Sequence, residues 1–259
     1  MAYISLRNVH KVYPNGFCAL KNINLDIEAG QFIAMLGPSG AGKSTLLRAI
    51  NALDPASQGD ITIDGVILTQ KNHRKMRAHI GMVFQQFNLV DRLNVMTNVL
   101  VGCLAERSWL SSLFYLFPKT DYQLAEAAIR EVDLLDKAWS RADKLSGGQQ
   151  QRVGIARALA QQPKLILADE PIASLDPKSS EEVLKLLRKI CSEKGITIIV
   201  NLHQVEYAKQ YADRIIALKA GELVFDGSPE QLTKAKQAEI YGTTVEEKSH
   251  ESNMVLAYT

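Results

Sequence analysis

The sequence has no apolar run that approaches the roughly 20 residues of a membrane-spanning helix. Cysteine is scarce, and Cys18, Cys103 and Cys191 are odd in number and far apart. They fit neither a disulfide framework nor a zinc site, so we expect a reducing cytosol. The net charge is only +2, and the short basic cluster at residues 71–79 is typical of a solvated surface segment. No nucleic-acid partner is therefore expected. The N-terminus alternates like a strand and carries no apolar signal core.

What is present is a regular alternation of strand and helix patterns. Alternation and short apolar runs predict strands at residues 4–9, 23–27, 32–36, 60–68, 80–84, 165–168, 197–202, 214–218 and 223–225. The segment 60–68 carries a turn at Asp64-Gly65. Helical spacing predicts helices at residues 43–51, 95–104, 122–132 and 178–192. From about residue 88 to 162 β-branched runs vanish, which indicates a mostly helical insertion. The strand 165–168 is fully apolar, as in a parallel sheet covered on both faces, so we expect an α/β fold with helices packed on a sheet.

A glycine-rich segment lies between the third strand and the first helix. It matches the P-loop pattern in full, with Gly37, Pro38, Ser39, Gly40, Ala41, Gly42, Lys43 and Ser44. Its glycines let backbone N–H groups turn toward phosphate oxygens, and the helix start adds the positive end of its dipole. Lys43 supplies charge for the β- and γ-phosphates, and Ser44 offers a hydroxyl to Mg²⁺. We expect Thr45 to help hold the α-phosphate of the nucleotide.

Two adjacent carboxylates, Asp169 and Glu170, follow four apolar residues of a buried strand. Most Asp-Glu pairs are surface charge, but a pair at the end of a buried strand downstream of a P-loop favours a catalytic function. Asp169 is placed to face the metal ion across from Ser44. Glu170 is placed to polarise the attacking water as a general base.

Residues 145–149 read Leu-Ser-Gly-Gly-Gln, which resembles the signature of the ABC ATPases. The resemblance extends to about Gly242. It implies a P-loop NTPase (RecA-like) core sheet with an antiparallel β portion and a mostly helical signature subdomain. We therefore expect one ABC ATPase domain over residues 1–242, with the core at 1–87 and 163–242 and the helical subdomain at 88–162. Residues 243–259 form a polar tail.

The resemblance also assigns roles to single residues. Gln85 resembles the Q-loop glutamine, which would sense the metal ion, and His203 resembles the switch histidine that would contact the γ-phosphate. Tyr13 resembles the aromatic residue that stacks on adenine. Asp176 lies in a D-loop-like segment and would cross a dimer interface. Without the resemblance, a core histidine and a packing tyrosine are the alternatives for His203 and Tyr13. The implied Mg²⁺ ligands are Ser44, Gln85 and Asp169.

The signature segment opens a second helix start suited to an anion, at Ser146, Gly147, Gly148 and Gln149. The resemblance implies that it serves the ATP of another subunit, in a head-to-tail homodimer that sandwiches the nucleotide. Such an interface should be weak without nucleotide and strong with it. Two departures from the common pattern are the order Ala173-Ser174-Leu175 in the D-loop-like segment and Gln204 after the switch histidine.

Several stretches resemble the ATPases of phosphonate importers, among them residues 87–90, 98–102, 109–118 and 201–205. This implies two transmembrane permease subunits, an extracytoplasmic solute-binding protein and a peripheral position on the cytoplasmic face of the membrane. We expect the permease contact near residues 85–117. Its apolar part, Trp109 to Phe117, is either a docking surface or a core helix.

Three alternatives remain open. The chain could energise transport of another solute, such as an amino acid, phosphate or lipoprotein. A soluble ABC protein acting on nucleic acid or the ribosome is disfavoured, because such proteins usually carry two cassettes or a long coiled coil. A scaffold with little turnover is disfavoured by the presence of both Glu170 and His203.

Overall fold

The computed structural model describes residues 2–106 and 117–242. Most of the apolar segment that begins at Trp109, and the tail at 243–259, lie outside the described residues. The strands are β1 (Ile4–Val12), β2 (Cys18–Ile27), β3 (Phe32–Leu36), β4 (Gln58–Ile63), β5 (Val66–Ile67), β6 (Ile80–Val83), β7 (Leu165–Asp169), β8 (Thr197–Asn201), β9 (Arg214–Lys219) and β10 (Glu222–Gly227). The helices are α1 (Lys43–Ile50), α2 (His73–Arg77), α3 (Val95–Leu100), α4 (Lys119–Glu131), α5 (Gly147–Leu159), α6 (Pro177–Lys194), α7 (Val205–Tyr211) and α8 (Lys234–Tyr241).

Six strands form a mainly parallel sheet in the order β10-β9-β3-β8-β7-β6, with only β10 antiparallel to its neighbour. Every residue of β3, β7 and β8 is buried, as expected for strands covered on both faces. Because parallel strands end at the same edge, the loop after β3 and the last residues of β7 and β8 meet there. Asp169 and Asn201 are register partners at that edge.

A second sheet is antiparallel and has the order β2-β1-β4-β5. The turn between β4 and β5 lies at Asp64 and Gly65, as predicted, and both residues have positive φ angles, 51° and 74°. Such a pair of left-handed residues closes a two-residue hairpin whose twist matches its strands. The structure thus contains the antiparallel β portion that the resemblance implies.

Apolar side chains form two buried clusters, one on each face of the parallel sheet. One cluster joins the sheet to helices α3 to α7, and the other fills the space between the two sheets and α1. The basic segment predicted to be solvated forms α2, which buries none of its residues. Within the described residues, no helix combines the length and the apolar character that crossing a bilayer requires.

The predicted helix at residues 95–104 is divided. Its α-helical part, α3, ends at Leu100, and a 3₁₀ helix continues over Val101–Glu106. The chain passes very close to α5 here, since a Cβ on Gly102 would lie 2.2 Å from the carbonyl oxygen of Arg157. This close approach is a tertiary constraint, and helical spacing in the sequence does not reveal it.

Candidate functional site

The P-loop connects β3 to α1 through backbone conformations that require glycine. Gly37, Gly40 and Gly42 have φ angles of 139°, 77° and 101°. A Cβ on Gly37 would lie 2.1 Å from the carbonyl oxygen of Leu218, and one on Gly42 would lie 2.5 Å from that of Ala19. The loop is thus held between its neighbours in a shape that L-residues rarely adopt.

Lys43 begins α1 and is buried. Its Nζ donates hydrogen bonds to the carbonyl oxygens of Gly37 at 2.7 Å and Pro38 at 3.0 Å. Burial lowers the pKa of the Lys43 ammonium group, while the nearby carboxylates of Glu170 and Asp169 act in the opposite direction. The cation is therefore poorly solvated and is held above the loop that is expected to cradle phosphates.

The expected metal-binding arm is assembled at the edge of the parallel sheet. The Ser44 hydroxyl donates a hydrogen bond to Asp169 Oδ1 at 2.8 Å. A third residue, Asn201, was missed: its Nδ2 lies 2.9 Å from Asp169 Oδ1 and 3.4 Å from Ser44 Oγ. Its position as the polar last residue of an apolar strand, two residues before His203, is the signal that could have found it.

Glu170 and His203 form a close pair, with His203 Nε2 2.7 Å from Glu170 Oε1. In a continuing strand, Glu170 would point to the opposite face from Asp169. Instead Glu170 has a φ angle of 50°, a left-handed conformation that costs about 1–3 kcal/mol in a non-glycine residue. The strained backbone turns the carboxylate out of the sheet toward the histidine. Such strain persists only where the surroundings enforce it.

These groups line a cleft of about 220 Å³. The lining residues are Phe17, Ala19, residues 39–45, Glu170 and His203. None of the signature residues 146–149, all of which the structure describes, lines this cleft. One copy of the chain therefore brings together the P-loop, the carboxylate and the histidine, and keeps its own signature elsewhere.

Tyr13 lies beside the cleft. Its hydroxyl is 3.4 Å from Thr45 Oγ1, and its ring stacks on Phe17 with centroids 6.5 Å apart and planes at 13°. The Lys11 ammonium group lies 5.3 Å from the Tyr13 ring centroid, within cation–π range. Phe17 was not predicted. It is an exposed aromatic residue that lines the cleft itself.

The signature residues form the start of α5, as predicted. Ser146 is the N-cap: its Oγ accepts a hydrogen bond from the Gln149 N–H at 3.4 Å, and Gln149 Oε1 accepts one from the Ser146 N–H at 3.1 Å. A Cβ on Gly148 would lie 2.8 Å from Ser179 Oγ on α6. Glycine at this position lets the start of α6 pack directly against the signature helix.

Comparison with known proteins agrees with this geometry. The family model described as ABC transporter matches residues 20–173. The phosphonates import ATP-binding protein of Thiobacillus denitrificans is 57% identical over 258 residues, covering 100% of both chains. The chain belongs to the ABC transporter family. The corresponding protein of Bacillus anthracis is 56% identical and covers 94% of this chain and 96% of its own. A dimeric ATP-binding cassette with bound ADP and phosphate has 38% identity and a TM-score of 0.76, covering 87% and 98% of the two chains.

The expected fold class is thereby confirmed, and membership of the ABC family implies that the chain binds nucleotide. Gln85 of this ABC protein is the second residue after β6 and is exposed. Among the described residues, no hydrogen bond joins Gln85 to Ser44 or Asp169. The segment that follows it is fixed instead by α5, because Arg157 donates to the carbonyl oxygens of Phe87, at 3.1 Å, and Asn88. Burial lowers the pKa of the Arg157 guanidinium.

Asp176 has a local structural role as the N-cap of α6. Its Oδ1 accepts a hydrogen bond from the Ser179 N–H at 3.0 Å, and hydrogen bonding from Ser179 lowers the pKa of the Asp176 carboxyl group. Pro177 follows at the first helical position, where its missing N–H costs nothing. Proline and aspartate thus explain why this ABC chain begins its longest described helix here.

Proposed function

We propose that this chain is the ATP-binding and ATP-hydrolysing subunit of an ABC importer that energises uptake of phosphonate or a related phosphorus oxyanion. The observation that carries the catalytic part is the single cleft that Lys43, Glu170 and His203 line together. The solute class rests on the phosphonates import proteins that are 56–57% identical to the chain. Transport of another solute is the alternative.

Nucleotide binding follows from the loop and its neighbours. The backbone N–H groups of residues 37–45 and the start of α1 would bind the phosphates, and the Lys43 ammonium group would exchange its carbonyl partners for β- and γ-phosphate oxygens. Phosphate oxygens are stronger acceptors for this poorly solvated cation than the Gly37 and Pro38 carbonyls. Tyr13 and Phe17 would stack on adenine at the open side of the cleft.

The residues present fit a magnesium ion. Mg²⁺ prefers oxygen ligands and is usually held by one or two carboxylates together with substrate phosphates. The Ser44 hydroxyl and the Asp169 carboxylate supply such a set, and Gln85 would join it through movement of its exposed segment. When bound, the ion neutralises charge on the β- and γ-phosphates.

Hydrolysis would depend on the pair formed by Glu170 and His203. The Glu170 carboxylate would take a proton from the attacking water as general base. His203 Nε2, 2.7 Å from Glu170 Oε1, would hold that carboxylate in place and contact the γ-phosphate. The strained backbone of Glu170 supports this role, because such strain clusters at functional sites.

We further propose that the working unit is a homodimer with ATP sandwiched between two chains. The signature residues Ser146, Gly147, Gly148 and Gln149 form a helix start outside their own chain's cleft, and a partner's signature would close the cleft over the phosphates. Asp176 would face the partner near this contact. A structural neighbour of the chain, 38% identical, is itself a dimeric cassette with ADP and phosphate.

A groove of about 420 Å³ supports the proposed contact with two permease subunits. It runs between the start of the helical region and the core, and its lining includes Phe84, Asn88, Val101 and Arg157. Phe84 precedes Gln85 in the chain, and the other three residues follow it.

In this proposal the core comprises residues 1–87 and 163–242, the helical subdomain comprises 88–162, and 243–259 is a tail. The chain would sit on the cytoplasmic face of the membrane, and its permease would receive solute from the binding protein.

The catalytic proposal is tested by Glu170→Gln, with Glu181→Gln as a matched control on the exposed surface of α6. Loss of the general base should slow hydrolysis by about 10²–10⁴-fold, while ATP binding persists. The variant should then accumulate as an ATP-dependent dimer in gel filtration, and the control should behave as the parent chain. Glu170→Gln that hydrolyses ATP at the parent rate would refute the assignment.

The solute is tested with the assembled transporter. The chain is co-purified with its permease, reconstituted with the binding protein, and its ATPase rate is measured with phosphonate, phosphate or an amino acid present. Stimulation by phosphonate alone supports the proposed solute. Stimulation by an amino acid instead would leave the ATPase assignment intact and replace the solute.

A further inference from the structure

The side chain of Asn201 occupies the junction between the P-loop helix and the ends of two core strands. It is the last residue of β8, has 0% exposure, and stands opposite Asp169 in the parallel register. Its amide Nδ2 lies within hydrogen-bonding distance of both Asp169 Oδ1, at 2.9 Å, and Ser44 Oγ, at 3.4 Å. No other residue in the described part of the chain bonds to both groups.

The hydrogen bonds define which atoms remain available for a cation. A carboxylate only accepts, so the Asn201 atom that faces Asp169 must be the amide nitrogen. Asp169 Oδ1 accepts from both Ser44 and Asn201, whereas none of the hydrogen bonds among the described residues uses Oδ2. Ser44 donates its one hydroxyl proton to Asp169, and one of its two lone pairs accepts from the Asn201 amide. One carboxylate oxygen of Asp169 and one lone pair of the Ser44 hydroxyl therefore remain free.

A second observation concerns the amide oxygen of Asn201. It is buried and has no hydrogen-bond partner among the described residues. Buried polar atoms without partners are rare in folded proteins, and each one marks a place where a donor is expected. Mg²⁺ usually retains several of its water molecules, and these are donors. An uncharged amide also adds this acceptor without a second negative charge beside Asp169.

We propose that Asn201 is a positioning residue for the magnesium ion of the nucleotide, acting through Asp169 and Ser44. This inference rests on the proposed function, because it takes the Ser44–Asp169 arm as the site of the cation. It distinguishes Asn201 from a residue that merely fills the core at the end of β8. A filling residue would affect stability and nucleotide affinity equally with and without Mg²⁺.

The test measures equilibrium binding of a fluorescent ATP analogue over a range of Mg²⁺ concentrations and in EDTA. In Asn201→Leu, the Mg²⁺ concentration for half-maximal enhancement of binding should rise about 10-fold or more, the usual effect of removing a group that orients metal ligands. Affinity in EDTA should stay within about twofold. Asn201→Ser keeps a small polar group that is too short to bridge both partners, so it should show the same shift. It replaces the leucine variant in the test if that variant folds poorly.

Two further variants separate the possible results. Asn98→Leu, which removes another buried asparagine far along the chain in α3, should lower stability without shifting the Mg²⁺ dependence. Ser44→Ala should shift it at least as much as Asn201→Leu. If Ser44→Ala shifts the dependence and neither Asn201 variant does, the inference about Asn201 is overturned while the proposed function stands. If Ser44→Ala has no effect, the magnesium assignment fails and the inference fails with it. If the Asn201 variants lose nucleotide affinity equally in Mg²⁺ and in EDTA, Asn201 has only a structural role.

Discussion

The P-loop contains a matched pair of glycines that separates backbone strain from steric clash. Gly40 and Gly42 both have positive φ angles, 77° and 101°. A Cβ on Gly40 would meet nothing within 4 Å, whereas a Cβ on Gly42 would lie 2.5 Å from the carbonyl oxygen of Ala19. Alanine at Gly40 should therefore suffer only the backbone penalty. Alanine at Gly42 should suffer the same penalty and also push against a strand backbone that cannot rotate away.

The magnitudes follow from these two contributions. A left-handed conformation costs an L-residue about 1–2 kcal/mol, and inserting a methyl group into a packed site costs about 1–3 kcal/mol more. Loss of unfolded-state entropy on replacing glycine by alanine is the same at both positions, so it cancels in the difference between the two variants. Gly40→Ala should thus lower the free energy of unfolding by about 1.5 kcal/mol and Gly42→Ala by about 3.5 kcal/mol. For a chain of this size these values correspond to falls in Tm of about 4 °C and about 10 °C.

The assay is thermal unfolding of both variants without nucleotide. Circular dichroism monitors the transition at several scan rates. Urea unfolding provides an independent measure of the same difference. The reasoning predicts a clear order, with Gly42→Ala the less stable variant. If Gly40→Ala proves equally or more destabilising, then contact with Ala19 does not control the shape of the loop.

Four further variants, one of them a control, test other parts of the site. Lys43→Ala should weaken ATP binding by about 10- to 150-fold, because each charge-assisted hydrogen bond lost is worth about 1.5–3 kcal/mol; a fluorescence titration with unchanged affinity would contradict the phosphate assignment. Ser146→Ala and Thr233→Ala each remove a side-chain N-cap of an α-helix and should cost about 1 kcal/mol of stability, but only Ser146→Ala should weaken the ATP-dependent dimer of Glu170→Gln. Arg157→Met should lower the free energy of unfolding by about 1.5–3 kcal/mol, measured in urea, since it leaves two Q-loop carbonyl groups without their donor.

The sequence pattern predicts local structure correctly where a few neighbouring residues determine the backbone conformation. The strand Phe32–Leu36, the glycine turn and the helix from Lys43 follow from apolar runs and glycine spacing alone, and the structure places them as predicted. The turn at Asp64-Gly65 is a similar case. These features depend on backbone conformations that a few neighbouring residues determine.

Contacts between distant segments could not be read in this way. Asn201 meets Ser44 only because β8 lies between β3 and β7 in the sheet order, and no spacing in the sequence reveals that order. Arg157 and the Q-loop carbonyls are 69 and 70 residues apart in the chain. Phe17 escaped notice because an exposed aromatic residue near a turn has no pattern that separates binding from packing.

The capping box of α5 bears on how the signature helix could receive a phosphate. Ser146 Oγ accepts the Gln149 N–H, and its own hydroxyl proton therefore remains available to donate to an anion. The N–H groups of Gly147 and Gly148 belong to the first turn, where a helix has no internal partners for them. The box fixes the helix start before any ligand arrives, so little conformational entropy is lost when phosphate binds. This prepared helix start lies outside its own chain's cleft, so in the proposed dimer its charge complement would come from the nucleotide held by the partner chain.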